Sequence, residues 1–176
     1  MFPPDLLEQW LQLCDEKDYI KPKVYQGMYN LIRRGPEKDL FPILREHGVH
    51  FVASSPLAAG VLTGNLTAGT VDGTRFAKGS KVGEGLRGVF DRPETHEAIA
   101  GLARVLKPLG ISSIEAALRW LFYHSLLGEG DGVILGASRT EQVVQNVGAI
   151  KKGPLPDEVV RSIEAIWDLL GEASGN

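Results

Sequence analysis

The chain has 176 residues, a formal net charge of −3 and 43% hydrophobic residues, which suffices for one domain with a real core and not for two. Its weak acidity excludes the basic surface by which proteins that bind nucleic acids or anionic membranes are recognised. No apolar run approaches the roughly 18–20 residues that cross a bilayer, so we expect neither a nucleic acid nor a membrane as partner. Cys14 is the only cysteine, so no intramolecular disulfide can form, and a reducing, cytoplasmic location is expected.

The first part of the chain alternates between helical and strand-like patterns. Apolar residues at helical spacing predict a helix over residues 5–16. A short strand is predicted over residues 23–28. The next helical pattern covers residues 36–47 and ends at Gly48, a residue typical of helix C-termini. The apolar run over residues 49–53 predicts a strand that is buried on both faces.

Residues 60–92 lose this periodicity. The segment contains eight glycines and no sustained spacing of apolar residues. We therefore predict one long Gly-rich loop. Such loops are uncommon in compact domains and are often functional lids or disordered segments.

Helical signals return at Asp91, which with Glu94 fits a helix N-cap followed by an acid at the third position. The apolar face of this helix continues to residue 106. Ser112 and Glu115 fit a second capping box, which opens another helix with apolar residues up to Phe122.

The last part of the chain predicts one strand and two helices. The strand covers residues 132–135. Ser138 and Glu141 fit a third capping box, and the helix behind it carries an apolar face of Val143, Val144 and Val147. Residues 156–170 form a further amphipathic pattern.

Strands separated by helices imply parallel βα units, and thus an α/β fold. Three strands are well supported by the pattern. A closed eight-stranded barrel needs typically about 250 residues, so we expect that the chain cannot form such a barrel alone.

Ligands of parallel βα proteins collect where the strands end. In the third strand-end segment, Gly136 lets a ligand approach the backbone, and Ser138 and Arg139 open a helix whose free N–H groups favour a phosphate. Gln142, Gln145 and Asn146 share one face of that helix. The alternative is a solvated polar face behind an ordinary cap.

The other two strand ends leave the same choice open. Small residues over 54–60 allow a phosphate-bearing ligand to lie against the backbone, and they equally suit a tight turn. Gln26 can direct its amide at a ligand or be structural. The histidines lack metal-ligand spacing, and no nucleophile elbow or P-loop is present. We therefore assign no catalytic and no metal-binding residue.

Taken together, the strand-end segments resemble those of a known family. Residues 23–30 (KVYQGMYN), 55–64 (SPLAAGVLTG) and 133–138 (VILGAS) occur in the order and spacing of the aldo-keto reductases, and residues 116–120 (AALRW) and 124–125 (HS) add to the match. The likeness is greatest to the aflatoxin-aldehyde reductase branch, with the potassium-channel β-subunits as more distant relatives.

The resemblance implies a (β/α)8 TIM barrel that binds NADP(H). The segments look like its sixth, seventh and eighth strands with their helices. Residues 1–176 would then be a partial, truncated NADP-dependent oxidoreductase domain, the C-terminal part of an incomplete barrel, with the long Gly-rich loop at 60–92.

The resemblance also implies the residues that contact the cofactor. Gln26 would bind the nicotinamide carboxamide, and Arg75 would touch phosphate from the loop. The segment along the pyrophosphate would consist of Ser55, Pro56, Leu57, Ala58 and Ala59. The 2′-phosphate and adenine would be held by Gly136, Ser138, Arg139, Gln142, Gln145 and Asn146.

The chain departs from the family pattern in three respects. Ser54 stands where an aromatic ring usually stacks on the nicotinamide, and Asn65 stands where a Lys is common near the phosphates. The catalytic Asp, Tyr, Lys and His of the family come from earlier strands, and no residue here takes their roles. We therefore expect the chain to be inactive alone.

Three functional hypotheses remain at this stage. The first is a reductase that converts an aldehyde or ketone to an alcohol once an N-terminal half completes the barrel and admits the carbonyl substrate. The second is a non-catalytic nucleotide-binding, regulatory or interaction module. The third is a non-functional remnant, since open barrel edges favour self-association.

Overall fold

The predicted strands form one parallel sheet. The structure is a computed structural model that describes residues 2–171, apart from the side chain of Leu169. Strands β1 (Val24–Met28), β2 (His50–Ser54) and β3 (Gly132–Val133) lie in the order β1-β2-β3. β3 is shorter than the predicted strand, although the N–H of Ile134 still donates to the carbonyl of Ala53 over 2.9 Å. The α/β character expected from the pattern is confirmed.

The described part of the chain also contains seven α-helices and two short 3₁₀ segments. No helix among residues 2–171 is both long and apolar enough to span a membrane. The 3₁₀ segments are Ala58–Thr63 and Lys107–Leu109. The helices are α1 (Pro4–Glu16), α2 (Pro36–Glu46), α3 (Lys81–Phe90), α4 (Pro93–Leu106), α5 (Ser113–Tyr123), α6 (Thr140–Ile150) and α7 (Asp157–Leu170).

The two faces of the sheet have different surroundings. Tyr25 and Gly27 of β1 are buried, whereas Val24 and Gln26 are exposed. The ring of Tyr25 stacks on that of Phe51 in β2 with centroids 5.9 Å apart. A Cβ on Gly27 would lie 3.0 Å from the Phe51 ring, so the glycine admits this packing. The apolar core therefore lies on one face of the sheet, and Gln26 lies on the open face.

The helices supply the rest of the core. Cys14 is buried on α1. Ile99 and Leu102 of α4 and Val159 and Ile163 of α7 are buried in the same apolar cluster, and these two helices pack together. The amphipathic pattern predicted for the last helix is confirmed, because its apolar positions are the buried ones.

The glycine content predicted one long loop over residues 60–92, and this prediction is wrong. Helix α3 occupies Lys81–Phe90, and the hydroxyl of Ser80 caps it by accepting from the N–H of Gly83 over 3.1 Å. Phe90 is buried and Leu86 packs against the core. The prediction failed because three glycines lower the helix propensity of the segment, whereas the burial of its apolar side chains stabilises the helix.

Asp91 does not cap α4, contrary to the prediction. The N-cap of α4 is Arg92, and Asp91 follows the last residue of α3. Its carboxylate binds Arg87 of α3 over 2.6 Å and His96 of α4 over 2.8 Å. Both oxygens of the Asp91 carboxylate thus make hydrogen bonds to these side chains, and such charge-assisted bonds take the place of the cap.

The cap predicted at α5 is half confirmed. The hydroxyl of Ser112 accepts from the N–H of Glu115 over 3.1 Å. The Glu115 carboxylate instead binds Arg119 over 2.7 Å and Lys152 over 2.6 Å. It therefore joins α5 to the end of α6 rather than closing the capping box.

Asp131 ties β2 to the segment that leads into β3. Its side chain is fully buried and accepts from the N–H groups of Phe51 over 2.7 Å and Gly128 over 2.8 Å, and from Arg45 over 3.0 Å. Burial alone would raise the pKa of Asp131, but the hydrogen bonds from Arg45 and the two backbone N–H groups outweigh burial and lower it.

We expect Asp131→Ala to lower the free energy of unfolding at pH 7 by about 3 kcal/mol, because two backbone donors and a guanidinium lose their acceptor. In the wild type, the contribution of Asp131 is present above its unfolded pKa of about 4 and is lost as pH falls through the lower folded value. Urea unfolding between pH 7 and pH 2 measures both effects. Glu129→Ala, at an exposed acid in the same turn, is the control, and an equal loss there would contradict the prediction.

Gly83 and Gly85 form a matched pair within α3. A Cβ on Gly83 would lie 2.3 Å from the carbonyl oxygen of Arg75, whereas a Cβ on Gly85 meets nothing within 4 Å. We expect Gly83→Ala to destabilise the chain, since backbone must move, and Gly85→Ala to stabilise it by roughly 0.5–1 kcal/mol through helix propensity. Thermal unfolding by circular dichroism compares the two, and a more stable Gly83→Ala variant would show that this close contact is absent.

Candidate functional site

The three strands end at one edge of the sheet. Met28 at the end of β1 pairs with Ser54 at the end of β2, and β3 runs parallel to both. The segments that follow the strands therefore start from this common edge, where ligands of parallel βα proteins bind. The predicted site residues lie in β1 or in the segments directly after β2 and β3. Arg75 is the exception, because it comes from the 60–92 segment.

The segment after β2 has an unusual backbone. Ser55, Ala58 and Ala59 have positive φ angles of 56°, 48° and 58°. Residues with a Cβ rarely adopt this conformation, which costs of order 1–2 kcal/mol each. The segment is fixed by hydrogen bonds, among them Ala58 N–H to the Ser55 carbonyl over 2.8 Å. Strain held in this way clusters at ligand-binding sites, which favours the ligand hypothesis over an ordinary tight turn.

Asn30 holds this strained segment and was missed as a site residue in the sequence. Its side chain is fully buried and donates from Nδ2 to the Ser55 carbonyl over 3.0 Å. Its Oδ1 accepts from the N–H of Ile32 over 3.2 Å. The available signal was a polar residue between the apolar residues Tyr29 and Leu31, directly after a strand.

Gln26 and Arg75 lie apart from the strained segment. Gln26 is exposed on the open face of β1, where it pairs with Val52. The side chain of Arg75 is exposed, and its carbonyl packs on Gly83. Within residues 2–171, no hydrogen bond joins either side chain to the 55–59 segment.

The N-terminus of α6 is capped differently from the prediction. The helix begins at Thr140, and Glu141 does not form the expected box with Ser138. Instead the Oε1 of Gln142 accepts from the N–H of Ser138 over 2.9 Å, from its hydroxyl over 3.2 Å and from the N–H of Arg139 over 3.3 Å. The N-cap is thus Arg139 and the third helical residue is Gln142, each one residue later than predicted. Two N–H groups that the sequence assigned to a phosphate already have an acceptor.

The remaining predicted residues of α6 differ in accessibility. Gly136 is exposed, and the space that a Cβ would occupy is empty. Arg139 and Gln145 are also exposed, whereas Asn146 is only 7% exposed. The polar face predicted for a nucleotide is therefore open at its N-terminal end. The apolar face predicted for α6 is exposed rather than buried. Its members are Val143, Val144 and Val147.

Tyr29, directly after β1, and His124, directly after α5, both have structural partners. The hydroxyl of Tyr29 donates to Glu37 over 2.6 Å, and burial together with this carboxylate raises the pKa of Tyr29. Burial, followed by the charge of Arg119, lowers the pKa of His124, whose Nε2 accepts from the N–H of Leu155 over 2.9 Å. Among residues 2–171, no three or more His, Cys, Asp or Glu side chains group as metal ligands.

Comparison with known proteins identifies the family. The model of the aldo/keto reductase family matches residues 3–168. The chain belongs to the aldo/keto reductase family. The resemblance inferred from the strand-end motifs is thereby confirmed.

Several curated relatives support this assignment. Human aflatoxin B1 aldehyde reductase member 2 is 41% identical over 93% of this chain and 48% of its own length. An aldo-keto reductase of Pseudocercospora fijiensis is 34% identical over 92% of this chain and 56% of its own length. Oxidoreductase sirO of Leptosphaeria maculans is 36% identical over 89% of this chain and 48% of its own length. The chain thus spans about half the length of the curated relatives it matches.

We expect Asn30→Ala to lower the free energy of unfolding by about 2 kcal/mol, since the N–H of Ile32 and the carbonyl of Ser55 lose a buried partner. Asn30→Asp should cost more, because it buries a carboxylate beside a carbonyl oxygen. Urea unfolding at pH 7 measures both. Asn65→Ala, at an exposed asparagine, serves as the control, and equal effects at the two positions would refute a special role for Asn30.

Proposed function

We propose that this chain forms the NADP(H)-binding part of an aldo-keto reductase that reduces an aldehyde or ketone to an alcohol. The observation that carries the proposal is the strained segment of small residues, Ser55 to Ala59, held by buried Asn30 where the strands end. Small side chains leave the backbone accessible to a ligand that bears phosphates. Membership in the aldo/keto reductase family supports NADP(H) as the cofactor.

In this proposal the chain supplies the sixth to eighth strands of a (β/α)8 barrel. Three observations support it. The sheet is covered on one face only, and Val24 on the other face is 56% exposed. Within the described residues, β1 and β3 each pair with β2 alone. Apolar side chains are also exposed on the two helices that flank the sheet in sequence, α1 and α6, namely Leu6, Trp10, Leu13, Val143, Val144 and Val147.

A half-barrel of this kind exposes unpaired strand edges and apolar faces that other strands can cover. Unpaired strand edges template further strands, and exposed apolar faces favour association. The missing strands would pair with β1 and β3 and enclose the open face with Gln26. Without them, the same edges favour self-association of the chain.

The cofactor residues follow from this placement. Gln26 would face the interior of the barrel and bind the nicotinamide carboxamide. The 55–59 segment would lie along the pyrophosphate, and Arg75 would reach the phosphates from the 60–92 segment. Arg139, exposed at the N-terminus of α6, would bind the 2′-phosphate, because a guanidinium pairs with phosphate in two-pronged geometry.

The chain's own residues bind and orient in this proposal, whereas the proton donor lies elsewhere. NADPH, when bound, supplies the hydride for the carbonyl carbon. Tyr29 is buried and its hydroxyl is engaged by Glu37; the hydroxyl of Tyr25 donates to the carbonyl of Phe2 over 2.8 Å. Neither tyrosine is free to protonate a carbonyl. The acid of the reaction would therefore come from the other strands of the barrel.

Titration of the purified chain with NADPH, followed by cofactor fluorescence and light scattering together, tests the proposal. Saturable binding by a monodisperse species would support the proposal. Arg139→Met should weaken NADPH binding about tenfold or more and change NADH binding little, because only NADPH carries the 2′-phosphate. Gln142 stays unchanged in this variant, since its oxygen caps α6.

Arg161→Met is the matched control, because Arg161 is an exposed arginine on α7 and should leave both affinities as they are. If both variants weaken NADPH binding equally, the effect comes from the loss of one positive charge and not from the position of Arg139. No saturable binding to a monodisperse wild-type chain would refute a cofactor half-site in these residues. Binding that is equal for NADPH and NADH would refute the role of Arg139.

A further inference from the structure

The connection between α6 and α7, residues 151–156, is bound by side chains of α5. Nε of Arg119 donates to the carbonyl of Gly153 over 2.7 Å, and Nζ of Lys152 donates to the carboxylate of Glu115 over 2.6 Å. Burial alone would raise the pKa of Glu115, but the hydrogen bonds from Lys152 and Arg119 outweigh burial and lower it. These contacts therefore keep their charges at neutral and weakly acidic pH.

The connection also has one backbone donor in a segment that is poor in donors. Leu155 lies between Pro154 and Pro156, and proline carries no N–H. The N–H of Leu155 donates to Nε2 of His124, which directly follows α5, over 2.9 Å. The side chain of Leu155 is only 4% exposed and belongs to the apolar core. The imidazole thus holds the backbone at the point where the connection enters the core.

This hydrogen bond requires one protonation state of His124. A backbone N–H can only donate, so Nε2 must accept, and the ring must be neutral with its proton on Nδ1. A protonated imidazole carries hydrogen on both nitrogens and would direct its own N–H at the N–H of Leu155. Protonation of the ring in place therefore removes the contact and leaves two donors facing each other.

The charges that face His124 come from α5 and α7. Burial and then the positive charge of Arg119 lower the pKa of His124, whereas the negative charges of Asp157 and Glu164 raise it, and the balance is a lowered pKa. A released ring has a pKa of about 6.5, so it binds protons more readily than the folded one. The contribution of the contact is present above about pH 6.5 and is lost as pH falls through the lower folded value.

We propose that His124 is a pH-sensitive joint, which attaches the backbone at Leu155 to α5 at neutral pH and releases it in weak acid. Helix α7 begins at Asp157, two residues after Leu155, and Val159 in its first turn is buried. Release of Leu155 therefore frees the start of α7, while the contacts of Arg119 persist. The joint operates without the cofactor and does not depend on the proposed function.

Hydrogen exchange of the Leu155 amide in the full chain, followed by NMR at pH 7.5 and pH 5.5, measures this release. Protection is expressed relative to the intrinsic exchange rate at each pH. At pH 5.5 a released imidazole is about ten parts protonated to one part neutral, so we expect protection to fall severalfold, with about tenfold as the limit. The amide of Leu102 in α4, whose side chain is buried, reports global unfolding and should lose less protection.

Three variants separate the joint from other effects of pH. His124→Gln retains an uncharged acceptor of similar reach, so protection of Leu155 should be equal at the two pH values. His124→Ala removes the acceptor and should lower protection severalfold at both. His50→Gln, at an exposed histidine of β2, is the matched control and should keep the pH dependence of the wild type.

The imidazole of His124 gives a second readout that needs no variant. At pH 7.5 its nitrogen chemical shifts should show a proton on Nδ1 and none on Nε2. A proton on Nε2 at this pH would overturn the proposal. So would wild-type protection of Leu155 that does not change with pH, that falls equally in His124→Gln, or that falls no more than the protection of Leu102.

Discussion

The guanidinium of Arg34, whose side chain is 11% exposed, makes the contacts on which the helical layer depends. It pairs with Glu37 over 2.8 Å and with Glu164 over 2.6 Å, and it lies 4.9 Å from the centroid of the Trp120 ring. Glu37 also accepts from the hydroxyl of Tyr29 over 2.6 Å. A charge that is mostly removed from water is tolerated only when its partners are in place. This cluster therefore fixes the turn after β1 against α2, α5 and α7 in one arrangement.

The same arrangement positions the candidate site. Tyr29 and Arg34 flank the turn that contains Asn30, and the carbonyl of Arg33 accepts from the N–H of Asn30 over 3.2 Å. Once this turn is rigid, the Asn30 amide reaches the Ser55 carbonyl and stabilises the left-handed backbone that follows β2. Strain at a ligand site requires rigid surroundings of this kind, because a loose segment would relax. Contacts of the helical core thus fix the position of the segment that follows β2.

The opposite face of the sheet has no such support. Tyr25, Phe51 and the helices bury one face, whereas Val24 and Gln26 remain accessible on the other. In a closed parallel barrel the inner face is a packed core, so the exposure of this face supports the proposal that further strands complete the barrel. The residues proposed to bind the cofactor are divided in the same way. The 55–59 segment and the start of α6 are fixed by hydrogen bonds within this chain. Gln26, in contrast, lies on the face that other strands would enclose.

The sequence by itself determined the family, the α/β pattern and most of the elements, because periodic burial and strand-end motifs are local properties. That this chain contributes no proton donor stays a prediction from the sequence. Only the tertiary structure decided which partner each polar group takes. Asp91 turns to Arg87 and His96, and Gln142 rather than Glu141 caps α6. Helix α3 forms despite its glycines. The physical reason is the same in each case: local propensities differ by less than about 1 kcal/mol, so charged partners and burial, supplied by residues distant in the sequence, decide between them.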